Sequence, residues 1–134
     1  MKKYENFYRC LQVLKKSDRL IASENEIYRT GVMGQFNLTF ELGWKALQAV
    51  LRLHSVAGAE TGSPLELLKL GCQVGFLEND PVWFAMQKDR NHSTHAYDEE
   101  KILSIVDRIL DVYIPTLEKL ATILDEKIRE AENF

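Results

Sequence analysis

The segment RNHSTHAY, residues 90–97, gathers side chains that can hold a phosphate or move a proton. It contains two of the three histidines of the chain. A histidine with a pKa near neutrality accepts or donates a proton, and an arginine holds a phosphoryl oxygen and stabilises developing charge. Asn91, Ser93 and Thr94 can orient the phosphate or the histidine. These residue types would suffice for metal-independent cleavage of RNA by its own 2′-hydroxyl.

The spacing of the segment restricts which of its side chains can act together. An α-helix turns about 100° per residue, so Arg90 and His95 would lie about 140° apart on one regular helix. They can meet if the helix loosens before Asp98, or if two copies of the chain face each other. Arg90 also continues the core-facing side set by Trp83 and Met86, so its guanidinium requires an anionic or carbonyl partner.

Spacing alone leaves two other interpretations of the segment open. Arginine and histidine are favoured near the C-terminus of a helix by its macrodipole, so both could be ordinary surface residues. His92, His95 and Asp98 are spaced three apart, as zinc ligands can be, but no further cluster of histidine or cysteine completes a ligand shell. The sequence therefore predicts neither a metal site nor a cofactor.

The composition is that of an ordinary soluble protein. The 134 residues are 46% hydrophobic and 28% charged, which fits a single domain over 1–134. The net charge of −3 excludes a global basic field, so RNA binding would need a local patch or a dimer groove. Two cysteines without CxxC spacing, and no signal peptide or membrane-spanning run, predict a cytoplasmic protein.

Apolar residues recur at helical spacing along nearly the whole chain, and no strand pattern of useful length occurs. The first stripe is Tyr4, Phe7, Leu11, Leu14 and Ile21; the second is Met33, Phe36, Phe40, Trp44, Leu47 and Leu51; the last is Ile102, Val106, Ile109, Tyr113, Leu117, Leu120 and Leu124. These patterns predict an all-α protein, an antiparallel bundle of about five helices.

Four features predict where the helices begin or break. Ser23 with Glu26 forms a capping-box pattern before the second stripe. Ser63, followed by Pro-Leu-Glu, is an N-cap signal for a third helix, and Asp98 is a candidate N-cap for the last. Pro115 is expected to kink the last helix or to divide it.

Several motifs, in order along the chain, resemble the HEPN family. Arg90-Asn91-x-x-x-His95 matches its R-polar-x(3–5)-H motif, and the extension to Tyr97 matches the R-x4-H-x-Y form found in HEPN proteins paired with a minimal nucleotidyltransferase. FELGWK at 40–45 resembles a further family segment. The resemblance covers roughly residues 5–125 and is strongest to the subfamily of nucleotidyltransferase substrate-binding proteins.

The resemblance implies a four-helix up-and-down core and a homodimer in which two RNxxxH segments face each other. It implies a partner nucleotidyltransferase, which is usually encoded by the adjacent gene. In family members that act as toxins, the HEPN protein of the toxin–antitoxin pair cleaves RNA without metal. The partner silences it by adenylylating the motif tyrosine.

By the same resemblance, each position of the motif takes a role. Arg90 would bind phosphate, His95 would transfer the proton and Asn91 would support them as catalytic residues. Tyr97 would be the adenylylation site. RNA is then the expected substrate, with ends that carry a 2′,3′-cyclic phosphate.

Two further choices stay open at this point. Glu41 and Lys45, spaced i,i+4, form either a plain helix salt bridge or a pair that lines the dimer cleft or supports Arg90. The whole chain is either the ribonuclease or, alternatively, a non-catalytic subunit that binds substrate or nucleotide for a two-component nucleotidyltransferase.

Overall fold

A computed structural model describes residues 1–78, 81–92 and 98–133, and it describes residues 91 and 92 by their backbone alone. The regular elements in these ranges are all helical. They are α1 (Lys2–Leu14), α2 (Arg19–Glu24), α3 (Glu26–Leu53), α4 (Pro64–Gln73), α5 (Val82–His92), α6 (Glu99–Arg108), a π-helical turn (Ile109–Tyr113) and α7 (Ile114–Glu132). The predicted all-α class is confirmed.

The count of seven α-helices in the described ranges exceeds the predicted five because the first and last apolar stripes are each divided. Asp18 interrupts the first stripe, since its carboxylate accepts from the Ile21 N–H at 3.0 Å and starts α2. Ile21 is therefore 46% exposed and lies outside the stripe on which it was placed.

The predicted capping box at Ser23 is wrong by two residues. Asn25 is the N-cap of α3, and its side-chain oxygen accepts from the Tyr28 N–H at 2.8 Å. The Ser23 hydroxyl instead donates to the Leu20 carbonyl at 2.6 Å, a local bond that competes with capping. The caps predicted at Ser63 and Asp98 are confirmed, because both side chains accept from a backbone N–H three residues on.

Side-chain contacts fix the directions of the long helices. Cys10 Sγ lies 3.2 Å from Thr39 Oγ1, and a Cβ on Gly43 would lie 3.1 Å from the Phe7 ring, so α1 runs antiparallel to α3 and close to it. The rings of Phe36 and Tyr113 stack at 5.3 Å between centroids.

The end of α3 meets the end of α7, where His54 Nε2 lies 2.7 Å from the Lys127 carbonyl oxygen, so these two helices run in the same direction. On α5, Asp89 meets Tyr113, whereas Trp83 lines a small pocket with Leu120. Helix α5 is therefore antiparallel to α7, and α1, α3, α5 and α6–α7 alternate as an up-and-down core.

The last helix changes its winding before Pro115, as its sequence predicts. Proline has no N–H to give to the carbonyl four residues back, and its ring crowds that carbonyl. Residues Ile109–Tyr113 form a π turn, closed by a bond from the Ile114 N–H to the Ile109 carbonyl, and α7 starts at Ile114. The π turn shifts the faces of α6 and α7 relative to each other.

Candidate functional site

The end of α5 presents Arg90 to α3. Arg90 Nη2 donates to Glu41 Oε2 at 2.6 Å, and the guanidinium carbon lies 5.7 Å from the centroid of the Phe40 ring. The Arg90 side chain is 29% exposed, so it is anchored but can still be reached from solvent. The core-side arginine thus has the anionic partner that its position requires.

Glu41 holds three donors at once. Besides Arg90, it accepts from Trp44 Nε1 at 3.0 Å through Oε2, and from Lys45 Nζ at 3.2 Å through Oε1. Burial opposes ionisation of Glu41, but the hydrogen bonds from Trp44 and Lys45 and the charges of Arg90 and Lys45 outweigh it. The pKa of Glu41 therefore lies below its ordinary value, and the carboxylate is ionised at neutral pH.

The two interpretations of the Glu41–Lys45 pair are compatible in this geometry. The pair is an i,i+4 helix salt bridge, and its carboxylate also contacts Arg90. Trp44, which belongs to the second apolar stripe, is only partly buried, and its indole N–H donates to Glu41.

A second face of the same α5 turn carries Asp89, which is almost fully buried. Arg108 donates to it twice, from Nε to Oδ2 at 2.7 Å and from Nη2 to Oδ1 at 3.0 Å, and the Tyr113 hydroxyl donates to Oδ2. Burial, with the hydrogen bond to Asp89 and its charge, raises the pKa of Tyr113 far above its ordinary value. The hydrogen bond to Asp89 likewise raises the pKa of Arg108.

A groove of about 720 Å³ lies between α5 and α6, over this buried carboxylate. Asp89, Arg108 and Tyr113 line it together with residues of the rim, which are Ala85, Lys88, Glu100, Lys101, Ser104 and Ile105. The rim mixes both signs of charge. Its two walls are the helices that the segment 90–97 joins along the chain.

Comparison with known proteins identifies the family. The profile described as nucleotidyltransferase substrate binding protein like matches residues 2–126. The chain belongs to this family.

Two solved structures share the fold of this chain. A Haemophilus influenzae protein, described as revealing the fold of a substrate-binding domain of a nucleotidyltransferase, superposes with a TM-score of 0.70 at 22% identity, covering 90% of this chain and 95% of that one. A Thermus thermophilus protein gives 0.67 at 27% identity, covering 93% and 98%. A search of curated proteins found no match.

Most of the predicted motif falls outside the described residues. Ser93, Thr94, His95 and Tyr97 lie in the range 93–97, and Asn91 is described by its backbone alone. Their predicted roles in this member of the family stay predictions. Of the residues proposed from sequence, the structure brings together Arg90, Glu41 and Lys45.

Two kinds of feature, a metal-binding cluster and a membrane-spanning helix, are absent from the residues that the structure describes. No group of three histidine, cysteine, aspartate or glutamate residues there could hold a metal ion. No helix there is long and apolar enough to cross a membrane.

The hydrogen bonds that join Asp89, Arg108 and Tyr113 are not predicted by the sequence. The sequence places Tyr113 in an apolar stripe, and it predicts no role for Asp89. A buried tyrosine needs a partner for its hydroxyl, which is the one signal that could have pointed to an acceptor near Tyr113. The identity of that acceptor depends on the π turn and on the approach of α5.

Proposed function

We propose that this chain is the substrate-binding subunit of a two-component nucleotidyltransferase, and that Arg90 binds an anionic group of the substrate. The contact between Arg90 and Glu41, on a chain of this family, is the observation that carries the proposal. The similar Haemophilus influenzae protein is described as a substrate-binding domain of a nucleotidyltransferase, which supports the same assignment.

The charge of the cluster suits an anion. Arg90 and Lys45 contribute two positive charges against the one negative charge of Glu41. The Lys45 side chain is 45% exposed, so both cations can reach a ligand in solvent. A guanidinium carries five N–H donors, so it can hold a carboxylate and a phosphoryl oxygen at the same time.

Glu41 also restricts where the Arg90 side chain points. A long, rotamer-rich side chain loses conformational entropy when it binds a ligand, and a fixed contact removes part of that loss in advance. The stack on Phe40 restricts it further.

The partner is then the catalytic nucleotidyltransferase, which we expect to be encoded next to this chain, and a homodimer is the expected form of this subunit.

The test is reconstitution with the neighbouring nucleotidyltransferase. Light scattering after size exclusion should show a complex of the two proteins, with this chain entering as a dimer. Arg90→Gln should leave the complex intact but raise the KM of the joined subunits for their acceptor. Failure of the two proteins to associate would overturn the assignment as a subunit.

A second function, metal-independent ribonuclease, is favoured by the position of Arg90 as the first residue of the RNxxxH motif. In this reaction the RNA 2′-oxygen attacks the adjacent phosphorus and the bond to the 5′-oxygen breaks. His95 takes the 2′-hydroxyl proton, and a proton returns to the leaving 5′-oxygen. The product end is a 2′,3′-cyclic phosphate, and Arg90 stabilises the charge on the phosphoryl oxygens.

Control by adenylylation belongs to this second proposal. The Tyr97 oxygen would attack the α-phosphorus of ATP on the partner, forming a phosphodiester and releasing pyrophosphate and a proton. The added AMP would place a negative charge seven residues after Arg90 in the sequence. This charge would compete with RNA for the Arg90 side chain. Asn91, Ser93 and Thr94 are proposed as orienting groups.

RNA cleavage in excess EDTA separates the two functions. The ribonuclease predicts that wild type cleaves, that His95→Ala and Arg90→Gln do not, and that the ends are cyclic phosphates. Cleavage retained in His95→Ala would remove that residue from the mechanism. No cleavage by unmodified wild type would leave the substrate-binding subunit as the function.

A further inference from the structure

We infer that Asp89, held by Arg108 and Tyr113, is a positioning residue that fixes the last turn of α5 and thereby aims Arg90 at its ligand. Neighbouring residues on a helix point about 100° apart, so Asp89 and Arg90 bind different neighbours from one turn. Asp89 is tied to α6 and to the π turn, and Arg90 to α3. The importance of Arg90 for the substrate rests on the proposed function, whereas the anchoring of its turn does not.

The saturation of Asp89 supports a fixed geometry. Its side chain is 8% exposed and accepts three hydrogen bonds from two residues. Burying a carboxylate costs several kcal/mol unless it is paired and fully hydrogen-bonded, and a buried ion pair adds little net stability over apolar packing. A two-point contact with a guanidinium does, however, impose direction, because the fork of Arg108 fits a carboxylate in one plane.

The π turn is what brings both donors to Asp89. On a regular α-helix Arg108 and Tyr113, five residues apart, would point about 140° apart. A π turn closes its hydrogen bond between residues five apart, so these positions come near one face. The bond from the Ile114 N–H to the Ile109 carbonyl is of that kind. Without the extra residue in the turn, Asp89 would meet one donor rather than two.

In this arrangement the direction of the Arg90 side chain depends on hydrogen bonds that Arg108 and Tyr113 make to Asp89, the residue before it. If Asp89 loses its donors, the last turn of α5 loses these hydrogen bonds to Arg108 and Tyr113, while the contacts of Arg90 with Glu41 and Phe40 remain. Arg90 can then sample other directions, and its remaining ring contact with Phe40 weakens. The core beneath, packed by Met86 and Trp83, need not change.

The test is the NMR signal of the Arg90 Nε–Hε group, assigned by its loss in Arg90→Lys. The guanidinium carbon lies 5.7 Å from the Phe40 ring centroid, so the ring current should move this signal from its random-coil position. Asp89→Asn should return it towards random coil while the Trp83 indole signal stays in place. Tyr113→Phe, which removes one donor and keeps the ring, should produce a smaller shift in the same direction and serves if Asp89→Asn does not fold.

Arg19→Gln is the matched control. Arg19 pairs with Asp107 and Asp111 on the same α6–π segment, but its side chain is 48% exposed and both of these partners lie outside α5. It should leave the Arg90 signal unchanged. An unmoved Arg90 signal in both Asp89→Asn and Tyr113→Phe would overturn the inference, and so would an equal shift in Arg19→Gln.

A binding arm separates this inference from the proposed function. Affinity for a fluorescein-labelled single-stranded RNA oligonucleotide in EDTA should fall about threefold to tenfold in Asp89→Asn, the scale of one weakened charge-assisted contact. A shifted Arg90 signal with unchanged affinity would keep the positioning of Arg90 but contradict its role as the anion-binding group. Changed affinity with an unmoved signal would overturn the positioning.

Discussion

The last turn of α5 has two faces, and each holds a different kind of ion pair. On one face the Arg90–Glu41 pair is partly exposed, and a second cation, Lys45, shares the carboxylate. On the other, the Asp89 carboxylate is buried and saturated by Arg108 and Tyr113. The partly exposed Glu41 carboxylate can share Arg90 with a ligand, whereas the buried Asp89 carboxylate, saturated by three hydrogen bonds, holds geometry. This difference is the reason why we propose binding for Arg90 and anchoring for Asp89.

The largest effect should come from removing the buried carboxylate. Asp89→Ala leaves a partly buried guanidinium and a buried hydroxyl without their acceptor, so we expect a loss of about 3 kcal/mol in the free energy of unfolding. Urea denaturation followed by circular dichroism measures it. Asp107→Ala is the control, since that carboxylate is 61% exposed. Equal midpoints for the two variants would contradict the buried role of Asp89.

Tyr113→Phe should cost less, because only one hydrogen bond to a charged group is lost. We expect about 1.5 kcal/mol in the free energy of unfolding. The ring keeps its stack on Phe36, so the urea dependence of unfolding should keep its slope. A neutral result would mean that the hydroxyl bond to Asp89 is not formed in solution.

Glu41→Gln tests the exposed face and adds a pH dependence. At pH 7 we expect a loss of about 1 kcal/mol, since Gln keeps the shape but not the charge. Because the pKa of Glu41 is lower in the folded chain, its contribution is complete above the unfolded pKa of about 4.3 and is lost as pH falls through the folded pKa. The difference between wild type and variant should therefore shrink below about pH 4.3. A difference that grows on acidification would reverse the assigned sign.

The smallest effect is expected at Arg19. Arg19→Gln breaks two ion pairs with Asp107 and Asp111, yet all three side chains are about half exposed or more. Ion pairs in solvent are screened and lose side-chain entropy, so the thermal midpoint should not change measurably. A midpoint drop as large as that of Tyr113→Phe would show that exposure does not separate the two kinds of pair.

The sequence predicts the helices better than it predicts what joins them. Both periodicity and capping residues are local properties: periodicity predicts the long helices, and N-cap residues predict the caps at Ser63 and Asp98. The break at Asp18 was missed because Ile21 happens to continue the apolar spacing. Pro115 predicts a distortion of the last helix, but no residue in the local sequence predicts that the distortion is a π turn.

In the candidate site, too, local sequence predicts some features and leaves the tertiary contacts unpredicted. The need of Arg90 for an anion follows from its helix face, and Glu41 is a candidate through its i,i+4 pair with Lys45. The choice of that partner is a contact between residues 49 apart in sequence, which spacing cannot supply. The pairing of Asp89 with Arg108 and Tyr113 is likewise set by tertiary packing.

The central claim is that Arg90 is the anion-binding group of this chain. Binding of the labelled single-stranded RNA oligonucleotide in EDTA tests it directly, because every nucleotide offers a phosphate to an accessible arginine. Arg90→Gln and Arg19→Gln remove the same charge, so their comparison cancels the change in net charge. We predict that Arg90→Gln weakens binding about tenfold or more, and that Arg19→Gln leaves it within about twofold. Equal weakening in both variants, or no binding by wild type, would contradict the claim.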